Sequence, residues 1–212
     1  MDKKTKIMRN FSKAAKAYDE NSALQKSLEN ILLGKISEKL GSAASILDIG
    51  SGTGSFCEKI LKLRPKVSIF GFDIARGMVE YSVNKSGRVI FFQADAENIP
   101  FKDSFFDIAV SNSVYQWVDN LDKAFSEARR ILKPNGEFHF VFFAGRTLEE
   151  LKFCFDKAYK FFALEGRPHS EKFLNIRDIE NSLKKADFSE SSLSALVIEK
   201  GFRDVDELLE FL

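Results

Sequence analysis

Cysteine, charge of one sign and long apolar runs are all scarce in this chain, and each shortage removes a class of protein. The two cysteines, Cys57 and Cys154, lie far apart without a Cys-x-x-Cys pair or a histidine at ligand spacing. Neither a disulfide framework nor a metal site is therefore expected, and both thiols read as packing residues. With 32 Lys+Arg against 31 Asp+Glu there is no global pull toward nucleic acid or a membrane surface, although charge can still cluster locally. No apolar run approaches the ~18 residues of a membrane span. Met1-Asp2-Lys3-Lys4 leads into a mixed polar segment without a signal-peptide core, which points to the cytoplasm. There is no internal repeat, and 212 residues suit one well-buried domain better than two.

What is present centres on Ile46-Leu47-Asp48-Ile49-Gly50-Ser51-Gly52-Thr53-Gly54, an apolar strand running into a glycine-rich turn. A dinucleotide loop brings backbone amides and a helix N-terminus to a pyrophosphate, and the carboxylate of Asp48 beside that anion would repel it. The dinucleotide spacing would also need glycine at position 55, where this chain has Ser55. S-adenosylmethionine carries no phosphate but has an ammonium and a sulfonium that Asp48 can pair with. The loop, with Gly50, Ser51, Gly52 and Gly54, therefore reads as a methyl-donor site, and a nicotinamide dehydrogenase is disfavoured.

Two further acids stand in register with the first. A helix over 56–63 precedes a strand over 67–72 that ends in Asp73, followed by Ile74; an acid at this tip can accept both ribose hydroxyls. A third strand over 89–93 runs into Ala94-Asp95-Ala96, where the carboxylate can accept from an adenine amino group and the next amide can donate to the ring. Each acid alone could be a turn or helix cap, but three at successive strand ends make a site. A fourth strand over 106–111, a helix over 121–132 with Leu121, Ala124, Phe125, Ala128, Ile131 and Leu132 on one face, a Pro134-Asn135-Gly136 turn and a fifth strand over 137–143 complete an alternating pattern. That pattern predicts an α/β fold with a mostly parallel sheet and helices on both faces. Asn112, Ser113, Gln116 and Trp117, just past strand four, should then face the reacting groups, and most of the 22 phenylalanines and His139 should be core.

Two segments fall outside the alternation. Phe11, Ala14, Ala15 and Tyr18 repeat at helical spacing, Asp19-Glu20-Asn21-Ser22 interrupts them, and a second amphipathic helix runs to Leu40. These residues are expected to cover the ligand crevice as a lid over 1–40. Residues 1–16 also hold Lys3, Lys4, Lys6, Arg9, Lys13 and Lys16 against Asp2 alone, a basic arm that could steer an acidic partner. The other segment, 147–185, is rich in Phe and Lys and is punctuated by Gly166-Arg167-Pro168-His169; Arg167 there is a candidate for binding an anionic substrate.

At this point the chain resembles the malonyl-[acyl-carrier protein] O-methyltransferases of biotin synthesis, within the class I methyltransferases. The likeness lies in Phe11-Ser12-Lys13-Ala14-Ala15-Lys16-Ala17-Tyr18-Asp19 with Ala23-Leu24-Gln25, in the glycine loop, in Ser111-Asn112 with Gln116-Trp117, in Thr147-Leu148-Glu149-Glu150-Leu151, and in Arg167-Pro168-His169 with Phe173-Leu174. The glycine loop is shared by many methyltransferases and identifies the cofactor; the opening segment, the Gln-Trp pair and the Arg-Pro-His loop are more specific.

The resemblance implies a Rossmann-like fold and methyl transfer from S-adenosylmethionine to the free carboxylate of a malonyl thioester, on acyl-carrier protein or coenzyme A. A cytoplasmic monomer is expected, with Tyr18 closing over the reactants, Gln116 facing them from just past strand four, and Arg167, with His169, meeting the carboxylate on grounds of charge. Family members continue for some tens of residues through a last strand, so the final strand of the sheet is expected to be missing here. A methyltransferase for a quinone precursor or small dicarboxylate, or a donor-binding module without catalysis, are the alternatives.

Overall fold

A computed structural model describes residues 2–163, 173–188 and 190–211, without the side chains of 209–211. Its strands are β1 (Ser45–Ile49), β2 (Ser68–Asp73), β3 (Ile90–Gln93), β4 (Phe106–Asn112) and β5 (Leu132–Val141), all parallel, in the order β3-β2-β1-β4-β5. Helices α1 (Lys3–Asn21) and α2 (Ala23–Leu40) precede the sheet, and α3 (Ser55–Leu63), α4 (Arg76–Lys85) and α5 (Leu121–Ile131) connect its strands. After β5 come α6 (Glu149–Phe161), α7 (Ile176–Lys185) and α8 (Val205–Phe211). From β1 the chain lays β2 and β3 to one side and β4 and β5 to the other. The crevice at the carboxyl ends of β1 and β4 is thus the switch point at which such sheets bind ligands.

Successive strand residues point to opposite faces, and here both faces are covered, which is why the strands read as unbroken apolar runs. Ile46 packs with Leu32 and Ile36 of α2 and Phe56 and Ile60 of α3, whereas Leu47 and Ile49 pack on the other face with Phe72, Tyr115 and Phe125. Helix α5 buries Ala124, Phe125, Ala128 and Ile131, and is started by Asn120, whose Oδ1 accepts from the Lys123 amide at 3.0 Å. Helix α7 joins the same core through Ile179 and Leu183, while α6 buries none of its residues.

Several expectations change. Asp19, Glu20 and Asn21 continue α1, and only Ser22 breaks it. The basic arm is helical from Lys3, capped by Asp2, which accepts from the Thr5 amide at 2.8 Å. Pro134-Asn135-Gly136 is not a turn before β5 but a bulge within it: Phe106 opposes Leu132, the next partner of β4, Ile108, opposes Glu137, and Asn135 takes φ 62°. Phe142 and Phe143 lie beyond the strand. His139 is half-buried and bonded to Glu137 at 2.9 Å rather than enclosed in the core. Cys57 is buried as expected, but Cys154 is exposed, as are Phe153, Phe155, Phe161 and Phe162. Among the described residues no strand follows β5.

Asp107 fastens the sheet opposite the ligand end. Its Oδ2 accepts from the amides of Ala44 (3.0 Å) and Ser45 (2.9 Å) and from Ser45 Oγ (2.9 Å), and Lys133 Nζ lies 2.8 Å from Oδ1. Burial pushes this carboxyl up, but Lys133 and the Ala44 and Ser45 donors outweigh it and hold the pKa at about 2. Since the folded value lies below the unfolded one, the stabilisation is complete above about pH 4 and is lost as pH falls toward 2. Asp107→Asn is expected to lower unfolding free energy by about 1–3 kcal/mol at pH 7 and by far less near pH 2. Urea denaturation at both pH values measures this, and a deficit independent of pH would rule out the carboxylate as the clasp.

Candidate active site

The turn after β1 is built around residues without side chains. Gly50 has φ +71°, and a Cβ there would lie 2.2 Å from Val114 Cγ2. Gly52 has φ +52°, and an added Cβ would meet nothing within 4 Å, so its face is open to the crevice. The crevice has two halves that share Tyr18, Gly50, Gly52 and Asn112. One half, with about 710 Å³ of space including its mouth, is mainly apolar, with Ile7, Phe11, Phe72, Ile74, Val114 and Trp117 in its wall and Asp73 and Asp95 at its edge. The other, about 390 Å³, is polar and is lined by Gln25, Glu29, Asp48, Ser51, Thr53 and Ser55 among others. Together they have the size of a site for a nucleoside-bearing ligand.

Strand parity sets the electrostatics. Asp48 alternates with Leu47 and Ile49, so it points with Ile46 toward α2 and α3, where it is 2% exposed and accepts a weak bond from Cys57 Sγ at 3.3 Å. Burial, opposed by that thiol and reinforced by Glu29 and Asp73, pushes its carboxyl up to about 7. Asp73 stands at the tip of β2; Oδ2 accepts from the Gly52 amide at 3.1 Å and Oδ1 from the Ala75 amide at 2.8 Å. Burial raises it to about 6 even though the amides of Ala75, Gly52 and Ile74 pull it down. Neither acid has a cation partner among the described residues. Glu29 of α2 adds a third carboxylate, bonded by Ser55 Oγ at 2.5 Å and by Lys59 Nζ at 2.9 Å. Such a set of carboxylate acceptors suits a cationic ligand with hydroxyls and rejects a phosphate.

Helix α1 roofs the crevice. Ala15 packs on Ala75 and Met78, flanked by Phe11 and Tyr18, and Ser12 Oγ accepts from the Gly77 amide at 3.1 Å. Asp19 Oδ1 takes the Thr53 hydroxyl at 2.6 Å and Oδ2 pairs with Lys85 at 2.9 Å, which ties the end of α1 to the glycine turn. Burial, with Asp73, Glu29 and Asp19 nearby, pushes the Tyr18 phenol up to about 12, so it is a neutral hydroxyl at pH 7.

Of the residues singled out in the sequence, Tyr18, Asp48, Gly50, Ser51, Gly52, Asp73, Ile74, Asp95, Ala96 and Asn112 meet in this crevice. Asp95 differs in detail: Lys4 Nζ lies 2.6 Å from its Oδ2 and 3.0 Å from Glu97 Oε1, so the carboxylate expected to await an adenine amino group is already held by α1. Gly54 and Gln116 do not line the crevice. Gly54 makes room for the Phe91 ring, 2.6 Å from where a Cβ would sit. Gln116 donates to the Ser113 carbonyl at 3.0 Å, and its Oε1 is buried without a partner among the described residues. Arg167 and His169 lie outside the described residues. The sequence reading missed Glu29 and Lys4. Glu29 was detectable as a charge four residues before Leu33 and seven before Ile36, on the buried face of α2.

Comparison with known proteins agrees with this chemistry. Residues 47–140 match the model of a family described as a methyltransferase domain. A malonyl-[acyl-carrier protein] O-methyltransferase of Geobacter sulfurreducens is 33% identical over 186 residues, covering 86% of this chain and 70% of that protein. Another, of Buchnera aphidicola, is 37% identical over 182 residues, covering 86% of this chain and 69% of that one. Among solved structures, a SAM-dependent methyltransferase of Thermotoga maritima, described as a possible histamine N-methyltransferase, superposes with a TM-score of 0.62 at 24% identity, over 85% of this chain and 80% of that one. At that identity the likeness speaks for the fold alone.

Proposed function

Because the chain belongs to the malonyl-[acyl-carrier protein] O-methyltransferase family, we propose that it methylates the free carboxylate of a malonyl thioester, an early step of biotin synthesis. S-adenosylmethionine is the methyl donor. The observation that carries the reading is the pair of acids that have no cation partner among the described residues, the buried Asp48 and the half-buried Asp73, beside an open glycine turn at the switch point. Asp48 would face the donor's ammonium, Asp73 would accept its ribose hydroxyls, and Ile74, Ala96 and Val114 would enclose its base.

When bound, the donor supplies a methyl group on a sulfonium, activated for attack by an oxygen nucleophile. A malonyl carboxyl, with a pKa near 4, is already ionised at pH 7, so no general base is needed. The neutral Tyr18 hydroxyl fits that scheme, since it can donate to an oxygen but has no reason to take a proton. Phe11, Tyr18 and Trp117 would exclude water and hold the acceptor in line, a contribution of up to roughly 7–11 kcal/mol. Arg167, with His169, would meet the carboxylate. The reading places the protein in a reducing, cytosolic compartment, which suits the unpaired thiols of Cys57 and Cys154. Among the described residues no helix is long and apolar enough to cross a membrane.

Mass spectrometry of malonyl-acyl-carrier protein incubated with the protein and S-adenosylmethionine tests the assignment. A gain of one methylene on the malonyl group is expected. Malonyl-CoA run in parallel gives the carrier preference. Methylation confined to a quinone precursor or another dicarboxylate, or donor binding without any product, would replace the assignment.

A further inference from the structure

We propose that the outward face of α1 is the docking surface for the acidic carrier protein that bears the acceptor, so that the helix roofing the crevice is also the element the partner engages. The proposal rests on the function above for the partner's identity and on the helix geometry for the surface.

At 3.6 residues per turn, Lys4, Ile7, Phe11, Ala15 and Tyr18 fall along one side of α1. This is the inward side: Ala15 is buried and the other four line the crevice. Half a turn around the helix, Lys6, Arg9, Lys13 and Lys16 follow one another at spacings of three and four, and all are exposed. Asp2 and Glu20 bracket the row, and Asp2 is occupied in capping Thr5. The expected basic arm is thus divided by the fold, with Lys4 turned inward onto Asp95 and Glu97 and the row turned outward.

Cations at the crevice and just behind its wall have acids to answer: Lys4 has Asp95 and Glu97, Lys59 has Glu29, and Lys85 has Asp19. Arg9, Lys13 and Lys16 have no acidic partner among the described residues. Nor do they follow from a basic composition, since the net charge is +1. The row is also held rigidly. Gly77 of α4 lets the two helices approach so closely that a Cβ there would lie 2.4 Å from the Ser12 carbonyl oxygen. Three exposed cations fixed beside a site entrance without acidic partners among the described residues, Arg9, Lys13 and Lys16, speed the encounter with a partner of opposite charge and make that encounter sensitive to salt. The outward row contains no large apolar residue that could enter a bilayer. The acids of the crevice, Asp48, Asp73, Asp95 and Glu29, disfavour an extended polyanion running past the row, whereas a folded acidic domain can touch the row alone.

The test is the triple variant Arg9→Glu/Lys13→Glu/Lys16→Glu, with Arg9→Gln/Lys13→Gln/Lys16→Gln as a milder companion. Methylation of malonyl-acyl-carrier protein is compared with that of malonyl-pantetheine, which carries the same thioester without the protein, at low and high salt. The charge-reversed variant is expected to lose roughly tenfold or more in kcat/KM on the carrier protein at low salt, the neutral variant less, and both deficits should shrink at high salt. Turnover of malonyl-pantetheine and affinity for S-adenosylmethionine should stay at wild-type values. Equal losses on both thioesters, or no loss on either, would overturn the proposal. If the wild type methylates neither thioester, the functional reading fails by itself. Anisotropy of labelled acyl-carrier protein then still decides the surface: weaker binding to the reversed variant supports it, and equal binding rejects it. Wild-type binding to anionic vesicles or duplex DNA as tight as to the carrier protein would likewise reject a protein partner.

Discussion

Replacing Asp73 by alanine is expected to weaken S-adenosylmethionine binding roughly tenfold to a hundredfold, the ~1.5–3 kcal/mol of a charged hydrogen-bond acceptor. Each carboxylate oxygen accepts one backbone amide, Gly52 at 3.1 Å or Ala75 at 2.8 Å, and keeps a lone pair for a ribose hydroxyl. Asp73→Asn separates shape from charge. The carboxyl is raised by burial to about 6, and Asp48 to about 7, so both are partly protonated near pH 6 and must ionise, Asp73 to accept from both ribose hydroxyls and Asp48 to pair with the ammonium. Wild-type affinity should therefore rise with pH through 6 to 7, with proton release on binding near pH 6, and Asp73→Asn should flatten part of that rise. The sign for stability is the opposite. These folded pKa values lie above the unfolded ones, so the ligand-free protein loses stability as pH climbs from about 4 through 7. Calorimetry at pH 6 and pH 8, in buffers of different ionisation enthalpy, measures both affinity and proton release. An Asp73→Ala protein that binds the donor normally would remove the anchor of the site.

The sheet was legible in the sequence because it is covered on both faces. Ile46, Leu47 and Ile49 must all be apolar wherever they point, and turns rich in glycine and acid punctuate them. The three acids at strand ends were visible for the same reason, since a parallel sheet places the carboxyl ends of β1, β2 and β3 side by side. What the sequence hid depends on contacts between distant residues. Lys4 reads as one more cation in a basic arm; only the packing of α1 on α4 brings it 2.6 Å from Asp95, far away in the chain. Pro134-Asn135-Gly136 carries a turn signal that is correct locally, because Asn135 does take a positive φ, yet the pairing of Phe106 with Leu132 absorbs it as a bulge. Gln116 looked like a site residue because it follows β4, but its short 3-10 turn directs its amide to the Ser113 carbonyl.

Arg167→Ala is expected to lower kcat/KM for the malonyl thioester by about two to four decades while leaving donor affinity unchanged. The charges of the described crevice lead to this. Asp48, Asp73, Glu29 and Asp95 all face it, and among the described residues lining it the one cation is Lys4, engaged by Asp95 and Glu97. A malonyl carboxylate entering there would be repelled unless a further cation came from residues 164–172, where Arg167 and His169 stand. Phe173 and Leu174, which follow these residues in the chain, are tied to the ligand side of the sheet. Phe173 packs against Phe143, just past β5, and the Leu174 carbonyl accepts from the Gly145 amide at 2.9 Å. An arginine offers two parallel donors to the two carboxylate oxygens, and loss of one partner of a desolvated pair costs about 3–5 kcal/mol, which sets the expected decades. Steady-state kinetics at saturating donor, with donor affinity measured separately, provide the check, and Arg167→Lys should recover part of the loss by restoring charge without the fork. Near-normal turnover in Arg167→Ala, or a defect wholly explained by lost donor binding, would show that another residue receives the carboxylate.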